Sequence, residues 1–561
     1  MHRSSLYLLM GIIWSLAFNN DIIAQITSPS EEKIDEIFSY WPKEGPGGVV
    51  GIVHNGELVF QKAYGKASLE YNIPMTNETV LNIASVSKQI TAYSLILLEQ
   101  QGKLSLDDDV RKYLPEIPDF GTPITIRHLL THTSGLRNFQ NLLAIAGWRE
   151  GDAMTNDDLL RYISRQKELN FPVGEEYLYC NSGFVLVTFI VERVTGEDFK
   201  DWTRKNIFEP LGMMNTSYRE NMERIHPNTA TSYRFDQSNQ FVQPLKYWTY
   251  MGNGNVYTTV EDLSKWIANF ETGQLGGMKA INILIEPGIL NNGDTLGYAL
   301  GIGIGDYRGI KRYSHGGSVG GYRSNMVYYP EENLGVIVLT NFSTANPGRI
   351  VSAISDYLME SKLEETATAS SNQPGHLSEE KEISAEAWSV LKGEYLVDGV
   401  LVKIFDCGEK VCGIAEGVTP QFEIKAASDT SFFVQGFPLS FWISKNQEMD
   451  IQQFDVLQGF NRSRGYKIEK TFMESEKSHN LIGKYFSPEL NTFYHIEKEN
   501  QKFLAKHPRH SDTELTAHSR ERWSSASFHL SQLKFKWNGT EVEGFWVSNG
   551  RVRNLWFEKL E

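Results

Sequence analysis

The stretch LNIASVSKQITAYSLILLEQQGKLSLDDDV, residues 81–110, predicts an amphipathic helix, and much of the function depends on how its first polar residues are interpreted. Ser85 and Lys88 lie three residues apart just inside the start of that helix. Because side chains at i and i+3 lie on the same helical face, Lys88 can reach the Ser85 hydroxyl. The other face is apolar and is formed by Ile90, Tyr93, Leu97 and Leu98.

Two interpretations of Ser85 and Lys88 stay open at this point. In one, Ser85 is a nucleophile and Lys88 its base, since burial would lower the pKa of the lysine and the helix N-terminus would stabilise an oxyanion. In the other, Ser85 caps the helix and Lys88 is a solvated charge. The spacing alone does not decide between them. It recurs at Ser164/Lys167, Ser378/Lys381, Ser389/Lys392 and Ser531/Lys534.

Tyr179 and Asn181 form a second polar element, in FPVGEEYLYCNSGF, residues 171–184. They precede an apolar helical pattern, and side chains two apart on an extended segment point the same way. Tyr179 could relay a proton, and Asn181 could hold an amide or the lysine by hydrogen bonds. The alternative is a plain helix entry with Asn181 or Ser182 as its cap.

The third element is RYSHGGSVGGYRSNMVYY, residues 312–329. His315, Gly316 and Gly317 end a predicted strand, and the glycines let the backbone come close to a ligand. The N–H group of Ser318 is then a candidate oxyanion donor. The alternative is a glycine-rich turn with a surface histidine.

In this order and at these separations, the three elements resemble the Ser-x-x-Lys, Tyr-x-Asn and Lys/His-x-Gly motifs of the serine β-lactamase and penicillin-binding-protein superfamily. The chain is most similar to its class C-like branch of esterases, D-aminopeptidases and carboxypeptidases. The resemblance covers most of residues 40–345 and includes the phrases IRHLLTHTSGL and GNGNVYTTVEDLSKW.

The resemblance implies a role for each matched residue. Ser85 would be the acylated nucleophile, with proton transfer shared between Lys88 and Tyr179. Asn181 would position the substrate, and His315 with Gly317 would line the strand side of the cleft. No metal or organic cofactor is expected for this acyl-enzyme chemistry.

Two positions depart from the family pattern. The β-lactamases of the family carry a lysine where this chain has His315, and a histidine is mostly neutral at pH 7. Without a permanent cation for a substrate carboxylate, we expect esters or amides with other end groups rather than antibiotics. Cys180 replaces a serine of many relatives, and we expect it to face away from the site and to pack.

Histidine and cysteine residues elsewhere raise separate questions. His128 and His132 have the i, i+4 spacing of a zinc pair, but no glutamate lies suitably between them and no third ligand is evident. We expect them to be structural. Cys407 and Cys412 bracket a hairpin tip, where a disulfide and two unpaired strand residues are both compatible with the sequence.

Five segments are predicted along the chain: a signal peptide (1–24), a serine hydrolase domain (25–363), a linker (364–384) and two β-domains (385–470 and 478–561). The N-terminus has a basic start, an apolar run and a small residue, Ala24, before the expected cleavage point. An uncleaved anchor is the alternative. The predicted location is secreted or periplasmic, without stable membrane insertion after cleavage.

The fold class is predicted as α+β, with an antiparallel sheet and a helical subdomain followed by two small antiparallel β-barrel-like domains. Strand patterns at both ends of the first domain, including a hairpin at Asn55-Gly56, enclose a helical region. The two β-domains are related, because Gly393-x-Tyr395 recurs as Gly483-x-Tyr485. By resemblance they are lipocalin-like, and a loop of the last one can narrow the cleft. We expect it to support the hydrolase domain or shape the cleft rather than hold a ligand of its own.

Composition limits the partners. The net charge of −15 and the absence of a dense Lys/Arg cluster argue against nucleic acid and anionic membranes. The expected partner is a small-molecule or peptide substrate, and a homo-oligomer is left open. We predict a secreted serine hydrolase acting through an acyl-enzyme on small esters or D-amino-acid amides and peptides. The alternatives are a β-lactamase or D-Ala-D-Ala carboxypeptidase, and a non-catalytic ligand-binding protein on the same fold.

Overall fold

The computed structural model describes residues 28–221, 223–363, 380–397, 400–415, 421–434, 439–445, 451–458, 461–468 and 480–560. The predicted signal peptide and the greater part of the predicted linker lie outside these ranges. Among the helices of the described ranges, none has the length and apolar character needed to cross a bilayer.

In the described residues of the first domain, the structure contains thirteen strands and ten α-helices. The strands are β1 (Gly48–His54), β2 (Glu57–Tyr64), β3 (Lys66–Ser68), β4 (Ile73–Pro74), β5 (Leu81–Asn82), β6 (Ser217–Tyr218), β7 (Arg234–Phe235), β8 (Phe241–Val242), β9 (Val256–Thr258), β10 (Gly303–Tyr307), β11 (Ile310–Val319), β12 (Tyr322–Tyr329) and β13 (Leu334–Thr340). The helices are α1 (Glu31–Phe38), α2 (Ser87–Gln100), α3 (Ile126–Leu130), α4 (Phe139–Ile145), α5 (Asn156–Ile163), α6 (Asn181–Thr195), α7 (Phe199–Thr203), α8 (Val260–Thr272), α9 (Gly277–Leu284) and α10 (Pro347–Leu358).

The main sheet has the strand order β10-β11-β12-β13-β1-β2, and every pairing within it is antiparallel. Strand β1 pairs along its whole length with β13, so the two ends of the domain complete one sheet, as predicted. The predicted hairpin between β1 and β2 is confirmed. Asn55 and Gly56 both have positive φ there, which a two-residue turn of this kind requires.

Helices cover both faces of the sheet. Ile34 of α1 and Ile350 of α10 pack against Val50 and Val338 on one face. The other face adjoins α8 and the large core around α2, where Ile267 and Ile90 share a buried cluster with Val49 and Leu339. Strand β11, near one edge of the sheet, faces the start of α2, and this places the sheet beside Ser85.

Helix α2 corrects the amphipathic prediction. Its residues Ser87 to Leu98 are all buried, including the polar Gln89, Thr91 and Ser94. The polar side chains find partners inside the core: Gln89 Oε1 accepts from the Trp266 indole N–H at 2.8 Å, and Thr91 Oγ1 donates to the Gly252 carbonyl at 2.6 Å. A helix with hydrogen-bonded polar residues can therefore be enclosed on every side.

Two closed eight-stranded antiparallel barrels follow, as predicted. A short helix, α11 (Ala385–Leu391), precedes them. The first barrel contains β14 (Gly393–Val397), β15 (Val400–Cys407), β16 (Lys410–Ala415), β17 (Phe422–Ser428), β18 (Ser431–Val434), β19 (Leu439–Lys445), β20 (Ile451–Gln458) and β21 (Asn461–Lys467). The second contains β22 (Gly483–Ser487), β23 (Thr492–Glu499), β24 (Lys502–Lys506), β25 (Thr513–Ala517), β26 (Arg522–Ser524), β27 (Gln532–Asn538), β28 (Glu541–Ser548) and β29 (Leu555–Leu560).

The repeated Gly-x-Tyr motif has the same structural role in both barrels. Gly393 and Gly483 each open the first strand with a φ of 150°, a value that side chains rarely allow. Tyr395 and Tyr485 are fully buried, and each hydroxyl donates to the carbonyl four residues earlier, at 2.7 and 2.8 Å. Of the two alternatives for Cys407 and Cys412, the structure contains the disulfide.

The second barrel is joined to the hydrolase domain by a shared core and a buried ion pair. Leu142 and Ile145 of α4 belong to the same buried cluster as the barrel's interior residues. Nη1 of Arg137 lies 2.7 and 2.6 Å from the two carboxylate oxygens of Glu489, and these side chains are 1% and 6% exposed. These contacts agree with the prediction that this barrel supports the hydrolase domain structurally.

Replacing Arg137 by Met should destabilise this junction by about 3–5 kcal/mol, because Glu489 would stay buried without its partner. Urea unfolding followed by circular dichroism and limited proteolysis measures the loss. The double variant Arg137→Met/Glu489→Leu should recover part of it. Arg149→Met is the matched control, since Arg149 is 62% exposed beside Asp152 and should change stability by less than about 1 kcal/mol. Equal effects of the two single variants would contradict the prediction.

Candidate active site

Ser85 lies on a single 3-10 turn, Ala84–Val86, immediately before α2. The prediction that it opens the α-helix itself is therefore wrong by two residues. Ala84 has a φ of 47°, unusual for a residue with a side chain, and its N–H donates to Asn82 Oδ1 at 2.8 Å. The Ser324 hydroxyl of β12 donates to the Ile83 carbonyl at 2.7 Å. Sheet and loop thus fix the turn that presents Ser85.

Lys88 is fully buried, and its Nζ lies 3.2 Å from Ser85 Oγ and 2.6 Å from the Asn253 carbonyl oxygen. Burial lowers the pKa of the Lys88 amine well below its usual range, and the charge of Arg551 lowers it further. A neutral amine can donate to the carbonyl and accept the Ser85 proton. The arrangement is that of a serine with its base.

Tyr179 borders the same amine. Its ring centroid lies 4.9 Å from Lys88 Nζ and 4.2 Å from the His132 ring. Burial raises the pKa of Tyr179, although its hydrogen bond with Ser85 and the charge of Arg551 act in the opposite direction. The phenol is protonated at neutral pH, so it can donate or relay a proton while Lys88 is the better base.

Asn181 is the first residue of α6, and the extended segment ends one residue before it. Its backbone N–H donates to Asn138 Oδ1 at 2.8 Å, and its side-chain amide donates to Gln140 Oε1. Its Oδ1 is buried, and no group in the described parts of the chain donates to it. An unsatisfied amide oxygen beside the cleft can accept a hydrogen bond from a substrate N–H.

His315 lies inside β11, which continues through Gly316 and Gly317 to Val319. The predicted strand end is therefore wrong, and the turn falls at Gly320 and Gly321. His315 Nδ1 lies 2.6 Å from the Gly316 carbonyl oxygen, and Nε2 lies 2.9 Å from the Tyr298 hydroxyl, a pattern that fits Nδ1–H as donor. Burial, with the charge of Lys88, lowers the pKa of His315 to about 4. This direction agrees with the neutral imidazole expected at pH 7.

Gly317 is the point where β11 meets the nucleophile turn. A Cβ at this position would lie 2.2 Å from Ser324 Oγ and 2.3 Å from the Ile83 carbonyl oxygen. Ser318 follows on the exposed part of β11, opposite Arg323 of β12. The strand can approach Ser85 this closely only because residue 317 has no side chain.

His128, His132 and Cys180 have structural contacts. His128 Nδ1 accepts from the Thr125 N–H at 3.1 Å in a capping box that starts α3. His132 Nδ1 accepts from the Cys180 N–H at 3.0 Å, which holds the segment carrying Tyr179. Cys180 is buried and its Sγ lies 3.2 Å from the Leu136 carbonyl oxygen, as expected for a packing residue.

A loop of the second barrel, residues 549–554 between β28 and β29, reaches this site. Its six residues connect the last two strands of the barrel. The guanidinium carbon of Arg551 lies 4.9 Å from the centre of the Tyr179 ring. The structure thus brings Ser85, Lys88, Tyr179 and His315 to one cleft and adds a cation from a different domain.

Comparison with known proteins gives the family. The family model described as Beta-lactamase matches residues 36–356. The chain belongs to this beta-lactamase family. It is a serine hydrolase.

Two curated relatives and one solved structure illustrate the breadth of the family. A D-aminopeptidase of Brucella anthropi is 25% identical over 452 residues, which is 80% of this chain and 80% of that protein. Penicillin-binding protein 4* of Bacillus subtilis (strain 168) is 30% identical over 309 residues, 52% of this chain and 68% of that protein. The octameric penicillin-binding protein homologue from Pyrococcus abyssi has the same fold, with a TM-score of 0.52, 24% identity, and coverage of 78% of this chain and 98% of that one.

Sequence reasoning missed three contributors to this beta-lactamase-family site. Asn253 holds Lys88 through a backbone carbonyl, Tyr298 orients His315 from a segment without a recognisable motif, and Arg551 arrives from another domain. Only Asn253 carried a signal, because it stands in the quoted phrase GNGNVYTTVEDLSKW.

Replacing Gly317 by Ala should lower kcat/KM by about 100-fold or more, because the new Cβ displaces either β11 or the Ser85 turn. Gly316→Ala is the matched control, since a Cβ there meets no atom closer than 3.6 Å and should change kcat/KM less than about threefold. Ester hydrolysis measures both variants, with the melting temperature confirming the fold. Normal activity of Gly317→Ala would show that the close approach is unimportant.

Replacing Arg551 by Gln should move the acid limb of the kcat/KM–pH profile to higher pH. Removing a neighbouring positive charge makes protonation of Lys88 easier, so the pKa of Lys88 rises in this variant. Arg553→Gln is the control, because that guanidinium lies 3.0 Å from Glu176 and should leave the limb in place. An unmoved limb in Arg551→Gln would mean that a group other than Lys88 is titrating.

Proposed function

We propose that this protein is a secreted enzyme that hydrolyses small amides, peptides or esters of D-amino acids through an acyl-enzyme on Ser85. The observation that carries the proposal is the buried Lys88 amine at 3.2 Å from Ser85 Oγ. A lysine kept neutral by burial can remove the serine proton, which turns a weak nucleophile into a reactive one.

The proposed reaction has two halves. Ser85 Oγ attacks the substrate carbonyl as its proton passes to Lys88, and the backbone N–H groups of Ser85 and Ser318 stabilise the oxyanion. The C–N or C–O bond to the leaving group then breaks, and the leaving group takes a proton through Tyr179. Water attacks the ester of Ser85, and the acid departs as the Ser85 hydroxyl regains its proton.

The relatives support the choice of substrate. The protein named D-aminopeptidase matches over 80% of this chain, a span that exceeds the hydrolase domain and includes part of the β-domains. Asn181, with its unsatisfied Oδ1, offers an acceptor for an amide N–H of such a substrate. His315 marks a difference from the family's β-lactamases, because a neutral side chain on β11 does not supply the cation that their lysine supplies at this position.

Secretion and assembly complete the proposal. The N-terminal sequence supports export by its signal-peptide pattern. A related protein of the same fold is named as octameric, which supports a homo-oligomer here. Hydrolysis of β-lactams is the second candidate, favoured by the relative named as a penicillin-binding protein.

Replacing Ser85 by Ala should abolish hydrolysis of p-nitrophenyl butyrate and D-alanine p-nitroanilide, with a loss of at least about 1,000-fold in kcat, since the acyl bond has no acceptor. A fluorophosphonate should add its mass to Ser85 in the wild type and not in this variant.

Ser164→Ala is the matched control, because Ser164 has the same Ser-x-x-Lys spacing but donates only to the Arg161 carbonyl. It should keep full activity. Folded wild-type protein that neither turns over a substrate nor labels at Ser85 would favour the non-catalytic alternative. Turnover of nitrocefin without turnover of the anilide or the ester would favour a β-lactamase.

A further inference from the structure

The charges around the cleft are unequal. Burial lowers the pKa values of both Lys88 and His315, which favours the neutral forms of these two bases of the cleft. Arg551 is different, because a guanidinium keeps its charge at any pH that proteins experience. Its side chain is only half-buried, so it meets the solvent of the cleft while it stacks on Tyr179.

The position of Arg551 is fixed, because hydrogen bonds from the hydrolase domain hold the loop backbone on both sides of it. Its carbonyl accepts from the Asn138 N–H at 3.2 Å and from the Asn170 side-chain amide at 3.0 Å. Asn170 Oδ1 accepts in turn from the Arg553 N–H at 2.7 Å. Earlier in the loop, the Asn141 side chain donates to the Asn549 carbonyl at 2.7 Å.

The neighbouring arginines form ion pairs with carboxylates, whereas Arg551 forms none within the described ranges. Arg137 pairs with Glu489 and Arg553 with Glu176. Within the described ranges, no carboxylate lies within ion-pair distance of the Arg551 guanidinium, whose one recorded partner is the Tyr179 ring. A charge of this kind, fixed beside the nucleophile, is available to a ligand.

We propose that Arg551 is the anion-binding group of the substrate site, so that the preferred substrates carry a carboxylate near the scissile carbonyl. A planar guanidinium matches a carboxylate with two parallel hydrogen bonds. Lys88 Nζ and the Arg551 guanidinium carbon each lie 4.9 Å from the centre of the Tyr179 ring, so an end group of a substrate whose carbonyl is at Ser85 has Arg551 within reach. A free ammonium at that end is repelled. The inference rests on the proposed function and names the substrate class within it.

Three p-nitroanilides of D-alanine that differ only at the amino group test the proposal. D-alanine p-nitroanilide is cationic, the N-acetyl derivative is neutral and the N-succinyl derivative is anionic. A second pair, N-acetyl-D-alanyl-D-alanine and its C-terminal amide, places the carboxylate on the leaving group. In the wild type we expect kcat/KM to rise about tenfold with each step towards negative charge in at least one series, mainly through KM.

Variants in the 549–554 loop distinguish an effect of the Arg551 charge on substrate preference from an effect of the loop structure. Arg551→Gln should bring the substrates within about threefold of one another, and Arg551→Asp should reverse the order in favour of the ammonium. Arg551→Lys should keep part of the preference, since lysine keeps the positive charge but cannot make the two parallel hydrogen bonds of a guanidinium. Arg553→Gln should keep all of it. Raising the salt from 0.05 to 0.5 M should shrink the wild-type preference, because ions screen an exposed charge.

The outcomes distinguish this inference from the proposed function. If the wild type hydrolyses these substrates at rates independent of their charge, or if its preference survives in Arg551→Gln, the inference is overturned while the hydrolase stands. If folded wild type hydrolyses neither the anilides nor p-nitrophenyl butyrate, the proposed function fails first. Loss of preference in Arg551→Gln together with its reversal in Arg551→Asp supports Arg551 as the anion-binding group.

Discussion

The withdrawal of a single amine from water is the constraint on which the rest of this structure depends. In water Lys88 would be protonated at neutral pH and could not accept a proton from Ser85. The chain solves this by burying α2 on all sides, so that the amine meets a backbone carbonyl, a serine hydroxyl and aromatic rings. No carboxylate of the described residues pairs with Lys88, and a nearby carboxylate would restore its proton. The buried polar residues of α2 and the strained turn at Ala84 follow from that arrangement.

The second barrel contributes to the same arrangement from outside. Its charge at Arg551 disfavours protonation of Lys88, so a residue of one domain adjusts the base of another. This coupling requires that the 549–554 loop stay in place. The buried Arg137–Glu489 pair secures it, since Arg137 also donates to the carbonyls of Arg553 and Asn554. The barrel is therefore part of the hydrolytic site as well as a support for it.

Local patterns predicted much of this molecule, and long-range contacts account for what they missed. The β1–β2 hairpin followed from Asn55-Gly56, because only residues tolerant of positive φ fit such a turn. The Ser85–Lys88 contact followed from a spacing of three residues. The burial of α2 on its polar side could not be predicted, because it depends on partners such as Trp266 and Gly252 far along the chain. The strand through Gly316 and Gly317 was missed because glycine weakens the interior of a strand, whereas here it permits a close approach.

Arg551 is the clearest case of a residue whose role local sequence patterns could not predict, because its contacts with the site are long-range. Its charge also bears on the replacement of the family's lysine by His315. In the β-lactamases that the chain resembles, a lysine on the edge strand supplies the cation of the cleft. Here that strand carries a neutral imidazole, and the cation near the site is Arg551, on a loop of the second barrel. One charge then has two effects, since it adds to the burial that lowers the pKa of Lys88 and it attracts anions to the cleft. The two effects oppose each other once a substrate is bound, because a carboxylate at Arg551 offsets part of the charge that acts on Lys88. Burial, the larger cause of the lowered pKa of Lys88, then keeps the amine available as a base.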